Sequence, residues 1–529
     1  MRLTWSALVF TLGLGVGGLG CVPVPPGTTT DTTSDGTGCE PGSMGCVCME
    51  DNSCDDGLIC ASNECIPDDS AGTSTGSVAT TSSTSTTTEP GTGTGTTTTS
   101  GSTTAQPACD AGNGVSNNPD CETGLYCSSE GECVDCSGLV GDDSCASVDV
   151  NTPVCDPASG TCVECLEGQA EACSGDTPVC DGEAMTCQPC TSNSQCQSGA
   201  CVLDTGACFP ADSVIWVNRL GANCLEATGS NDKPFCEIAD AVDSIIDTDP
   251  RLIRVKPSAT YTKQIDVSSG LTIAIMRESD ETDPIVLQVA NEDSVQIAQN
   301  AKVYIEDLSI RGEGPTTAAG VVCNSALISL TRSEIVDKRG TGAISNDCEL
   351  MIDGSRLYND LGGGIRATSG AVTIRNSIIG NNGSGGAMVS GLTLEGSVAV
   401  DIVYTTIAFN FAFGPQALVC ADTADGTIRN SIVFGSGDQN SVECGALEFT
   451  TSAVDSNDLM GSMNKFFSPD QLQLGWFVDV LGGDFHLTGN GAEFNGVAVW
   501  SDGDPMIDFD GDMRPAVDSS PDFAGADLP

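Results

Sequence analysis

Six apolar residues in the second half of the chain recur at intervals of about two dozen: Ile305, Leu330, Ile352, Ile374, Val403 and Ile428, at steps of 25, 22, 22, 29 and 25. Five positions after each lies a second apolar column, Ile310, Ile335, Leu357, Ile379, Ala408 and Val433. Steps of this size suit a coil of three short strands and three turns. Stacked coils would send both columns inward as a continuous apolar core, one rung per ~4.8 Å. Two residues beyond the second column stand Asp337, Asn359, Asn381 and Asn410. Asparagine tolerates left-handed backbone, and amides stacked at strand spacing hydrogen-bond along a ladder. Asn381, in IRNSIIGNNGSGG, is therefore expected to extend a structural ladder and not to grip a ligand.

The residues flanking these coils carry a resemblance. SVIWVNRLGANCLEATGSNDKPFCEIADAVDSI reads as a strand at 214–217, a Gly/Asn loop and an amphipathic helix with Ile238, Ala241, Val242 and Ile245 on one face. This order, followed by LIRVKPSATY, is similar to the opening of pectin-lyase-like β-helix proteins, although Ser258 and Ala259 stand where that family carries glycine. The ending resembles the closing segment of bacterial β-helix repeat proteins at Asp484-Phe485-His486-Leu487, Asp508 to Arg514-Pro515 and Pro521-Asp522, and departs from it at GNGAEFNG. The resemblance spans 214–529. It implies an all-β fold, a right-handed parallel β-helix over 214–490 with a closing segment over 491–529. Cys323 and Cys348, 25 apart, and Cys420 and Cys444, 24 apart, are each separated by about one coil, which places them for vertical disulfides. Cys224 with Cys236 would pin the cap.

Before residue 214 the composition changes. Residues 22–38 and 67–108 are almost wholly Ser, Thr, Gly and Pro with a few acids, too polar to offset chain entropy by burial, and are expected to be disordered linkers. Between them, residues 39–66 hold six cysteines and hardly a hydrophobic residue, so cross-links must replace a core. Residues 109–210 hold sixteen more, in units that begin at Cys133-Val-Asp-Cys136, Cys162-Val-Glu-Cys165 and Cys187-Gln-Pro-Cys190 and close on cysteines seven apart. A period of about 25 residues implies a linear array of small modules. Structural disulfides explain the C-x-x-C pairs better than zinc or redox chemistry, because extra cysteines surround each pair and no histidine is near.

MRLTWSALVFTLGLGVGGLGC has the form of an export signal, and its ending at Cys21 resembles the lipobox of bacterial lipoproteins, with Gly18 where leucine is usual. The resemblance implies residues 1–21 as a signal, lipid on Cys21, membrane contact only through that lipid, and display at the outer membrane or cell surface. Without the lipid, the same leader implies secretion. Charge excludes one class of partner. The chain carries 73 acidic against 19 basic residues, with no Lys, Arg or His between Arg2 and Arg219, so it repels nucleic acid.

Chemistry is sparse. The chain has a single histidine, His486, and none of the carboxylate, Gly-His-Gly and Arg-x-Lys motifs of sugar hydrolases of this fold. A lyase needs a base and a charge partner for the uronate, for which Lys338, Arg339, Asp360 and Arg366 are the candidates. Asp502, Asp504, Asp508, Asp510 and Asp512 offer oxygens for Ca²⁺, with the glycine misplaced for an EF-hand; no other cofactor is expected. The leading expectation is a non-enzymatic protein that binds a polysaccharide or another surface. The alternatives are a lyase acting on acidic glycans and a purely structural spacer.

Overall fold

A computed structural model describes the strands Leu58–Ala61 and Glu64–Pro67, Cys109, and residues 121–529 with gaps at 123–124, 129, 140–143, 169–171, 221–223, 258, 279–280, 282, 385–387 and 437–440. Cys21, the signal at 1–21, the linker 22–38 and the linker 67–108 apart from Pro67 lie outside the described residues, as does 39–66 apart from its hairpin.

From Val214 the chain winds into a parallel β-helix. Every full coil gives one strand to each of three sheets, which hold 11, 9 and 8 strands among the described residues. A representative coil runs Cys348–Asp353, Arg356–Tyr358 and Ile365–Ala367, and the next strand, Gly370–Arg375, returns to pair in parallel with the first. The first sheet stacks Ile275, Ile305, Leu330, Ile352, Ile374, Ile402, Ile428 and Phe449 in register. The second stacks Leu287, Ile310, Ile335, Leu357, Ile379, Ile407, Val433 and Val454. All are buried, each contributing about 1.5–3 kcal/mol of burial free energy. The helix Ile238–Asp243 buries Ile238, Ala241 and Val242 against this same core at its N-terminal end.

The sequence columns slip by one residue in a single coil. Ile402 and Ile407 point inward, not Val403 and Ala408. The cause is a second apolar layer: Val403, Tyr404, Ala408, Phe409, Ile432 and Phe434 form a core with the C-terminal segment, so this coil is hydrophobic on both faces. Parallel pairing ends with Met460–Ser462 and Lys465–Phe466. Beyond it, the hairpin Phe477–Asp479/Asp484–Leu487 and the pair Asn495–Trp500/Ser520–Phe523 lie along the outer face of the second sheet. Gly380 permits this approach, since a Cβ there would meet the Phe485 ring at 2.2 Å.

Two polar ladders hold the corners. Between first and second sheets the chain turns on residues with positive φ, among them Arg332, Asn376, Tyr404, Asn430 and Thr451. A hydroxyl follows each, and Ser333, Ser355 and Ser431 each give their N–H to the hydroxyl one coil on, Ser355, Ser377 and Ser452, at 3.0–3.2 Å. After the second sheet, Asp337, Asn359, Asn381 and Phe409 adopt φ of 53–59°, so Phe409 takes the corner expected of Asn410. Asn381 Nδ2 donates to Asn359 Oδ1 at 2.6 Å.

The modules at 109–208 cross-link first to third and second to fourth cysteine: Cys136–Cys155 with Cys145–Cys162, Cys165–Cys180 with Cys173–Cys187, and Cys190–Cys201 with Cys196–Cys208. Cys109–Cys127 and Cys121–Cys133 form the first set. Each C-x-x-C therefore straddles the junction of two modules. The last two cysteines of each set face one another across a short hairpin, as in Cys155↔Cys162. In the β-helix the structure joins Cys224–Cys236, Cys323–Cys348 and Cys420–Cys444.

Candidate functional site

The lyase candidates do not meet on one surface. Lys338 and Asp360 follow the left-handed corner residues, and their side chains turn into the coil, where both are buried. Lys338 Nζ donates to Ser294 Oγ at 2.9 Å, and Lys338 N donates to Asp360 Oδ1 at 2.8 Å. Asp360 N in turn donates to Asn382 Oδ1, and Asn382 N to Asn410 Oδ1, both at 3.0 Å. Arg339 is exposed, and Arg366 pairs with Glu395 at 2.7 Å. A polymer lying on the outside cannot touch Lys338 or Asp360.

Asp360 is the acidic member of an internal amide ladder. Asn382 and Asn410 send their Nδ2 protons to the carbonyls of Leu357 and Ile379, but Asp360 Oδ2 has no hydrogen-bond partner. Burial pushes its carboxyl well above the ordinary range, while burial lowers Lys338. A raised folded-state pKa contributes stability that is complete below the unfolded value and lost as pH rises through the folded one. Asp360→Asn supplies the missing donor and removes that titration. It is expected to raise the melting temperature at pH 7.5, by about 1–3 kcal/mol in stability terms, and to leave it nearly unchanged at pH 4. Thermal unfolding of both proteins at the two pH values checks this, and a lower melting temperature at pH 7.5 would count against it.

The five tail aspartates serve separate arrangements. Asp504 is buried in an ion pair with Arg429 and accepts from Ser501 N at 2.9 Å. Asp508 accepts from the backbone N–H of Asp510, Asp512 and Leu528 at 2.8–2.9 Å, which closes a turn. Asp502 N donates to Asp518, Asp510 reaches His486 at 3.1 Å, and Asp512 is exposed.

A cleft forms where the last disulfide module meets the β-helix. The module is docked on the outer face of the first sheet: Ala200, Val202 and Phe209 pack on Leu252, Ala274, Met276, Tyr304 and Leu327. Polar contacts lock it. Asp204 takes Tyr304 Oη at 2.5 Å and pairs with Lys302, Arg254 Nη2 donates to Ser198 O at 2.7 Å, and Asn193 binds Glu306. Burial and the neighbouring Asp204 push the Tyr304 phenol up. Along the outward column of this sheet, Leu252, Ala274 and Tyr304 lie beneath the module, and Ser329, Met351, Thr373 and Asp401 continue past its edge in successive rungs.

There the overhang of Thr191 and Leu203 and the floor of Thr331, Met351, Thr373 and Arg375 enclose about 430 Å³, within the usual range for a ligand site. Arg375 reaches Asp401 at 3.3 Å, and its Nε has no hydrogen-bond partner. The cleft thus offers hydroxyls, one guanidinium, the carboxylates of Asp353 and Asp401 and a methionine surface, spaced by the rungs of the sheet. The cleft is not legible in the sequence, because its column appears only once the register is known and the cysteine spacing around Thr191 and Leu203 does not show where that module docks.

Residues 83–214 match a family model described as a family of unknown function, DUF8331. No curated protein matches the chain. Among solved structures, the chain is similar to the crystal structure of pectate lyase Pel9A, with a TM-score of 0.33 and 14% identity over 59% of this chain and 95% of that one. It is also similar to a rhamnogalacturonan lyase, with a TM-score of 0.30 and 10% identity over 53% of this chain and 98% of that one.

Proposed function

We propose that this is a non-enzymatic, surface-displayed protein that binds an extended polysaccharide along the first sheet, in the cleft beside the last disulfide module. One observation carries the reading: polar side chains line the cleft on successive rungs, Thr331, Asp353, Thr373 with Arg375, and Asp401. Rungs repeating at ~4.8 Å suit a linear polymer of small hydroxylated units better than a compact ligand. The net charge of −54 and the two cleft carboxylates favour an uncharged polymer over an acidic one.

The full-length protein is expected to be retained by neutral glycans on an array, with Arg375→Ala weakening retention about ten-fold or more, the loss of a charge-assisted hydrogen bond. Appearance of unsaturated uronate absorbance on incubation with acidic glycans would overturn the non-enzymatic reading. Retention that is unchanged in Arg375→Ala would move the site elsewhere.

A further inference from the structure

Outside the cleft, the chain's one imidazole is surrounded by carboxylates from three separate parts of the closing segment. His486 stands in the strand Asp484–Leu487, Asp510 in the turn closed by Asp508, and Asp527 at the end of the described chain. One ring nitrogen or carboxylate oxygen from each of His486, Asp510 and Asp527 falls within 4.8 Å of the others. Asp484 Oδ1 lies 2.5 Å from His486 Nδ1, and Asp510 Oδ1 lies 3.1 Å from Nε2. A carboxylate on Nδ1 holds the proton on that nitrogen and turns the lone pair of Nε2 toward the other two acids, the arrangement that orients metal-ligating histidines. Asp527 is 3% exposed and is anchored by the N–H of Leu487, while the Phe509 ring packs 5.8 Å from the imidazole. Asp510 is half exposed, which leaves a side open for entry and for water ligands.

We propose that His486 Nε2, Asp510 and Asp527 form a binding site for a divalent transition-metal cation of the zinc type, with Asp484 as the positioning residue. One nitrogen and two carboxylate ligands suit Zn²⁺ and its neighbours and do not suit Ca²⁺, which takes oxygen ligands in larger number. The site differs from the run of tail aspartates that the sequence offers for calcium, since only Asp510 is common to both. Its ligands lie 24 and 17 residues apart, so an ion there would tie the hairpin, the turn and the C-terminal strand end together.

The single histidine makes the test selective, because other carboxylates can take up zinc without moving the imidazole signals. Full-length protein with ¹³C,¹⁵N-labelled histidine is titrated with zinc sulfate at pH 7.5. The ring signals are expected to shift to a new set that is complete at one equivalent, with Nε2 as the ligated nitrogen, and calcium chloride at the same concentration should leave them in place. Asp484→Asn is expected to weaken the transition about 10–100-fold. Asp510→Asn, at an exposed position, should weaken it at least as much while the zinc-free melting temperature stays unchanged. Ring signals that do not respond to zinc, or that respond equally in Asp510→Asn, would overturn the site.

Discussion

Arg514→Met is expected to destabilise the closing segment by about 3–5 kcal/mol, the cost of leaving a buried charge without its partner. The guanidinium is fully buried. It pairs with Asp522 at 3.1 Å, gives Nη2 to the carbonyls of Gly525 and Ala526 at 3.0 and 3.1 Å, and lies 3.9 Å from the centre of the Tyr404 ring. These contacts fasten the Ser520–Phe523 strand and the residues after it to the corner of one coil. Methionine fills much of the volume but satisfies neither the carboxylate nor the carbonyls. Loss of the segment would expose Phe409, Ile432 and Phe434, a patch large enough to bind a hydrophobic dye. Limited proteolysis with thermolysin should cut between residues 467 and 500 in the variant while the coils survive. Adding Asp522→Leu should restore much of the loss, because an apolar replacement of both partners is often neutral. A single variant as resistant as the parent would show that the pair does not hold the segment.

Reduction should separate the two architectures. Eight disulfides hold residues 109–208, whose buried apolar residues are few and are mainly the cysteines themselves, as in the cluster of Cys136, Leu139 and Cys145. Removing a native bridge from such a small domain costs about 2–5 kcal/mol, and no core of that size remains to absorb several losses. The β-helix has three bridges on a continuous core and is expected to stay folded. In a reducing buffer, hydrogen exchange of the 109–208 backbone should become complete within the shortest labelling time, while strands such as Cys348–Asp353 and Gly370–Arg375 keep their protection. Protection that persists in the modules after reduction would refute the view that cross-links replace their core.

What the sequence revealed, and what it hid, follow from how each interaction repeats. The coil period was legible because Ile305, Leu330, Ile352 and Ile374 recur inside an invariant cross-section. It failed at Val403 because outer burial under Phe477 and Phe485 copies the inner signal, and a one-residue slip cannot be seen when both faces are apolar. The hydroxyl ladder was present three residues after the first-sheet inward column from Leu330 to Phe449, at Ser333, Ser355, Ser377, Thr405, Ser431 and Ser452. It passed unnoticed because serine and threonine in turns are common for local reasons. The disulfide order within modules was beyond reach, since equal spacing fits several connectivities. The cleft and the His486 cluster were hidden for a different reason. Each is made by residues far apart in the chain, Leu203 with Arg375 and His486 with Asp527, that only packing brings together.

The docked module also sets the path of mechanical load. A pull on the chain ahead of Cys190 reaches the β-helix through Asp204 on Lys302 and Tyr304, through Ser198 on Arg254 and through Asn193 on Glu306, anchorages on two strands of the first sheet, Arg251–Val255 and Lys302–Glu306. Tension is thereby shared across that sheet as shear before it comes to bear on the strand at Val214, and the stack is shielded from being unwound one coil at a time from its end.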